Sequence, residues 1–114
     1  MDQQIPVALT IAGSDCSAGA GIQADLKTFS SLGVHGLTAV TCVVAETPRG
    51  VSEIHPVPHP ILQEQVRLLL KSYPVAAVKT GMLFSAAHAV AVAELLEEVT
   101  LPLVVDPVMV ASSG

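Results

Sequence analysis

Four apolar runs in this sequence each close on a side chain that can do chemistry. Ser14 and Asp15 follow the first, Glu46 ends the second, Lys79 and Thr80 end the third, and Asp106 ends the fourth. Carboxylates of this kind hold amino groups, hydroxyls or a hydrated Mg²⁺. A lysine beside them either pairs with a carboxylate or contacts a phosphate, and the residues alone leave both uses of Lys79 open. A fifth group, Asp25, closes the segment "IAGSDCSAGAGIQAD" (residues 11–25). It falls one turn into a helix whose Ile22, Leu26 and Phe29 turn inward, where the helix dipole favours a carboxylate. Three glycines and several small residues precede it. Glycine permits close approach to the backbone, so this segment reads as a loop closing around a small ligand at the carboxyl end of a strand.

The glycines invite two nucleotide readings. A phosphate-binding P-loop ends in Gly-Lys-Ser/Thr, and no lysine follows here, which excludes it. "GAGIQA" (residues 19–24) fits the dinucleotide pattern G-x-G-x-x-G/A. However, its first glycine should follow the strand at once, and "SDCSA" intervenes. Only Glu46, beyond the usual spacing of about 20 residues, keeps that reading alive. A plain flexible turn is the bland alternative.

The elements that must position these groups follow from pattern. With 51% hydrophobic and 13% charged residues, the 114-residue chain suits a core with both sheet faces covered rather than disorder. Residues 7–13 and 36–46 read as buried strands, as do 75–81 and 101–107. Residues 51–57 read as an edge strand, because Pro cannot sit centrally. Helices are expected over 20–32, stopped by Gly33; over 59–73, with Leu62, Val66, Leu69, Leu70 and Tyr73 on one stripe; and from a Ser85 cap to about 98, with Ala89, Val92 and Leu96 inward. "HPVPH" (residues 55–59) reads as a solvated loop whose prolines prevent a helical metal face. His35 and His88 read as structural or exposed. The order is that of a parallel α/β sheet, whose ligand belongs outside the strands' carboxyl ends.

Net charge is −5 without a basic run, which argues against nucleic acid or an anionic membrane as partner. No apolar stretch reaches the roughly 18 residues of a spanning helix, and "MDQQIPV" lacks the basic-then-apolar pattern of a signal peptide. Cys16 and Cys42 match no metal or redox spacing and read as reduced thiols of a cytoplasmic protein. The last strand has no helix after it, which reads as the front portion of a larger fold or as a strand covered by a second chain.

Taken together, "ALTIAGSDCSAGAGIQADLKTFSSLGVHG", "VKTGML" and "VVDPVMVASSG" resemble the front part of the hydroxymethylpyrimidine/phosphomethylpyrimidine kinases of the thiamin pathway. Pyridoxal kinases, some of which share the opening motif, are the alternative. The resemblance implies a ribokinase-like three-layer α/β fold with a mostly parallel sheet, incomplete in this chain. Residues 1–114 would form the N-terminal, substrate-binding part of one kinase domain. It implies phosphoryl transfer from ATP with Mg²⁺ to a pyrimidine hydroxymethyl group and then to the monophosphate, in a homodimer. By position, Gly13 and Ala20 would line the pyrimidine site, Asp25 would sit beside its polar groups, and Met82 and Val108 would pack on the ring. Asp106 would serve the magnesium and phosphate side. No catalytic residue falls within 1–114, so this stretch alone is expected to be inactive, or to serve as a ligand-binding or assembly fragment. Glu46 stands where the family usually has glutamine. An ionised glutamate only accepts, so altered pH dependence or substrate choice is expected.

Overall fold

The computed structural model describes residues 5–107. The chain runs β1 (Val7–Asp15), α1 (Gly21–Ser31), β2 (His35–Thr47), β3 (Gly50–Pro56), α2 (His59–Ser72), β4 (Ala77–Thr80), α3 (Ala86–Leu96) and β5 (Leu103–Val105). The sheet order is β3-β2-β1-β4-β5. β1, β2, β4 and β5 are parallel, and β3 returns antiparallel on β2 at the edge. Pro56 is thereby kept out of the central strands, as expected.

Alternation along β1 sorts the layers. Leu9 and Ile11 share a core with Leu37 and Ala39 of β2, Leu62 and Val66 of α2 and Val92 of α3. On the opposite face Thr10 reaches Asp25 of α1, and a side chain at Gly36 would collide with Leu26 and Phe29. The sheet is thus sandwiched between α1 and the α2/α3 pair, giving three layers. α1 contributes no fully buried residue, and Ile22, Leu26 and Phe29 are only half-buried. Tyr73 also departs from expectation. It falls beyond α2 in extended backbone, because the residue before Pro74 is pushed out of the helical region, and its exposed ring faces His35.

Local chemistry fixes the ends. α1 stops at Gly33, whose φ of 74° lets the Gly33 and Val34 amides turn back to Ser30 and Phe29. α2 starts on Pro58 with a further proline in its first turn. α3 is capped by the Ser85 hydroxyl, which accepts the His88 amide at 3.1 Å. At Val40, where β3 does not reach, the Gln65 amide takes the Val40 N–H (2.9 Å) and donates to its carbonyl (3.1 Å). That side chain substitutes for a missing strand neighbour.

β1 outruns its expected end at residue 13, β4 and β5 fall short of theirs, and β2 ends within a residue of its own. β1 and β2 run on to Asp15 and Thr47, whereas β4 and β5 are short. Ile11 is level with both Thr80 and Ala39, so β1, β2 and the hairpin to β3 project beyond β4. Every residue of β5 is exposed.

Candidate functional site

The loop after β1 is built around a charge. Asp15 is 4% exposed. Its Oδ1 accepts the Ser17 amide (2.9 Å) and hydroxyl (2.7 Å), and its Oδ2 accepts the amides of Gly19 (3.0 Å) and Ala20 (2.8 Å). The Ala18 amide bonds the Asp15 carbonyl at 2.9 Å. The Ser17 hydroxyl, followed after the opposing effect of burial by the amides, holds this carboxyl below its ordinary value. Gln23 closes the loop from α1, accepting the Asp15 amide at 2.8 Å and donating to Ser14 Oγ at 2.8 Å. Gly21 is obligatory here: its φ is 64°, and a Cβ would run into the Gly13 carbonyl oxygen.

This corrects the simplest reading of the glycines. The amides of residues 17–20 are committed inward, three of them to the chain's own carboxylate, and do not point at a ligand. It also removes the dinucleotide reading, because Asp15 takes amides that such a motif would offer to a pyrophosphate.

Asp25 is held by Lys79, whose Nζ lies 2.9 and 2.8 Å from its two oxygens, and by the Thr10 hydroxyl at 2.5 Å. The carboxylate and ammonium side chains are 16% and 23% exposed. The lysine is therefore the carboxylate-paired kind, clamping α1 to β4 across β1. Glu46, near the tip of β2, meets the loop from the other side: its amide donates to Cys16 Sγ (3.3 Å), and the thiol donates to its carbonyl (3.1 Å).

Gly13 and Met82 come together. At Gly13, where β2 carries an extra residue opposite β1, a Cβ would lie 3.0 Å from Cys42 Sγ and 3.2 Å from the Met82 methyl. The Met82 carbonyl is anchored by the Thr41 hydroxyl at 2.7 Å. Met82 in turn lines an open cleft of about 360 Å³ with Gly81, Phe84, Ser85, Val105 and Asp106. Asp106 is exposed at its rim, and its amide bonds the Thr80 carbonyl at 2.9 Å.

Gly13, Ala20, Glu46, Met82 and Asp106 thus all lie at the carboxyl edge of the sheet, and Asp25 lies under it at the level of Thr10. They divide into two groups. Met82 and Asp106 line the cleft, with Gly13 behind the Met82 methyl, whereas Ala20 and Glu46 stand on the projecting loop and hairpin. From Ala39, level with the end of β4, to Glu46 is roughly 20 Å along the strand. Val108 lies outside the described residues. Among the described residues no group of three or more His, Cys, Asp or Glu side chains could hold a metal ion. A lone carboxylate at a cleft rim does suit Mg²⁺, which keeps most of its waters and binds through one or two carboxylates plus phosphate.

Sequence reasoning missed three devices. Asp15 was legible as an Asx turn, an acid two residues before a serine. The Thr41–Met82 anchor had no local signal. The histidines of "HPVPH" are not a solvated loop: His55 is in β3, and His59 opens α2 with its Nε2 3.1 Å from His88 Nδ1.

Residues 15–114 match the model of the family described as phosphomethylpyrimidine kinase. The chain belongs to that family. It is 49% identical over 109 residues to the hydroxymethylpyrimidine/phosphomethylpyrimidine kinase of Streptomyces coelicolor, covering 96% of this chain and 40% of that protein. The crystal structure of phosphomethylpyrimidine kinase from Clostridium difficile superposes with a TM-score of 0.88 at 42% identity, over 96% of this chain and 48% of that one. The pyridoxal kinase of Staphylococcus aureus, solved with AMP-PCP and pyridoxal, gives 0.84 at 41% identity, over 95% and 40%. The three-layer, mostly parallel sheet is accordingly the ribokinase-like arrangement. The chain spans about two-fifths to one half of the length of these relatives. Among the described residues no helix is long and apolar enough to cross a membrane.

Proposed function

We propose that this chain forms the N-terminal, substrate-binding part of a cytoplasmic, homodimeric phosphotransferase that phosphorylates hydroxymethylpyrimidine and then its monophosphate, using ATP and Mg²⁺, in thiamin biosynthesis. The observation that supports this best is that Met82 and Asp106 line one cleft in a chain of this family. An apolar thioether on the wall of a cleft suits a flat heteroaromatic ring. Asp106 would hold a hydrated Mg²⁺, which would supply positive charge to offset that of the phosphates.

Phosphoryl transfer asks the protein mainly for positioning and electrostatics. This chain's share would be to seat the ring against Met82 and Gly13, with Val108, and to present its hydroxymethyl oxygen towards Asp106. Ala20 and Glu46 would close the site from the projecting loop and hairpin. Glu46, as an acceptor, would take the exocyclic amine of an aminopyrimidine. Asp25 would shape the site through Lys79 and Thr10 while they hold its carboxylate. The nucleotide's main contacts, and the group that takes the hydroxyl proton, would come from the further length that the relatives possess.

Calorimetric titration of the intact protein with hydroxymethylpyrimidine, pyridoxal and ATP tests this. Micromolar binding of hydroxymethylpyrimidine, weakened by Met82→Ala and altered between pH 5 and 8 by Glu46→Gln, is the expected result. Preference for pyridoxal, towards which the likeness to pyridoxal kinase points, would replace the substrate in this reading. Binding of neither ring would refute it.

A further inference from the structure

Next to the cleft, four side chains form a cluster that the pyrimidine site does not use directly. His88 of α3 is 5% exposed. Its Nε2 lies 2.8 Å from the Val57 carbonyl oxygen. A carbonyl only accepts, so Nε2 carries the proton and Nδ1 offers a lone pair. Towards that lone pair come the Ser85 hydroxyl at 2.7 Å and His59 Nε2 at 3.1 Å. The His59 ring stands edge-on to His88 at 4.3 Å, and the Phe84 ring does so at 5.2 Å.

Phe84 has a φ of 74°. Left-handed backbone is unfavourable for a bulky residue and persists only where its surroundings enforce it. Residues 82–85 form one wall of the cleft. Their first residue is fastened to β2 by Thr41, and their last two are fastened to the β3–α2 connection by way of His88. A serine cap alone would hold the start of α3. The buried imidazole adds a strut from Val57 and His59 to Phe84, and so to the wall itself.

We propose that His88 is a positioning residue for the ligand: it fixes Phe84, and through it the Met82 face of the cleft, with His59 setting the orientation of its ring. The ligand in this inference rests on the pyrimidine-site reading above; the strut does not. His88→Leu in the intact protein should lower the NMR order parameters of residues 82–85 in the ligand-free state. It should weaken hydroxymethylpyrimidine binding by about tenfold, but by less than about twofold in a Phe84→Leu background, because neighbours that act through one another are not additive. His88→Gln, which keeps a donor for Val57, should recover most of the affinity.

Unchanged order parameters, or an equal loss of affinity in both backgrounds, would overturn the proposal. Should His88→Leu not fold, His59→Ala removes one partner of the ring and leaves the Ser85 cap; unchanged order parameters at 82–85 in that variant would also overturn it. Failure of the wild type to bind hydroxymethylpyrimidine would sink the pyrimidine-site reading alone, and the ligand-free spectra would still support or overturn the strut.

Discussion

Replacing Asp15 with asparagine asks whether the loop after β1 depends on a charge. The carboxylate accepts two bonds on each oxygen, from the Ser17 amide and hydroxyl on one and from the Gly19 and Ala20 amides on the other. Asparagine keeps one accepting oxygen and turns an NH₂ group towards the other two donors. A hydrogen bond to a charged group contributes about 1.5–3 kcal/mol net, and water on this exposed loop replaces part of it, so the loss should be about 2–4 kcal/mol. The pH dependence follows from the lowered carboxyl pKa. Its stabilisation is complete above the unfolded-state value of about 3.9 and disappears as pH falls through the lower folded-state value. Urea unfolding of wild type and Asp15→Asn should therefore differ by a constant amount from pH 7 to pH 5, and by progressively less below pH 4. A gap smaller than about 0.5 kcal/mol at pH 7, within the range of an ordinary surface change, would refute the reasoning. So would a gap undiminished at the lowest pH that still permits folding.

Three further outcomes follow from the same geometry. Lys79→Met leaves the Asp25 carboxylate with Thr10 alone and should cost about 2–4 kcal/mol, while adding Asp25→Leu should restore most of it, since an uncompensated buried charge costs more than the pair contributes; chemical denaturation of the two variants measures both. Gly21→Ala should destabilise by about 3 kcal/mol or more, combining left-handed backbone with a collision against the Gly13 carbonyl, which a large fall in the thermal midpoint would report. Cys16 is exposed and Cys42 buried, and burial raises the Cys42 thiol pKa. Iodoacetamide should thus label Cys16 in the folded protein and Cys42 only after denaturation, as read by mass spectrometry.

The order of elements was legible because hydrophobic period and turn chemistry agree along most of the chain. "TPRG" made the hairpin turn, Gly33 stopped α1, Ser85 capped α3, and the proline in β3 fixed an edge. The lengths of β2 and β3 were legible to within a residue at each end, and those of β1, β4 and β5 were not. The continuation of β1 through Ser14 and Asp15 depends on pairing with Val43 and Val44, a partnership between residues far apart in sequence. Candidate site residues were found by their place after strands, which topology guarantees will gather at one edge. What each carboxylate does there was hidden, because the answer is a partner. Asp25 finds Lys79 across 54 positions of sequence, and His88 finds His59 across 29.

Those partnerships decide what two of the acids do. The rim read from the sequence holds Asp15, Glu46 and Asp106 with Lys79 as the one cation, and Asp25 adds a further acid close by. The structure reduces that charge unevenly. Asp15 is enclosed by donors on its own loop, and Asp25 is neutralised by an ammonium on both oxygens. Asp106 is exposed beside the cleft, where a carboxylate can hold a hydrated divalent cation and so favour phosphate rather than repel it. Glu46 sits on the projecting hairpin, apart from the cleft that Asp106 borders. Two acids on this side of the sheet are therefore internal structure, and the negative charge at the cleft itself comes from Asp106.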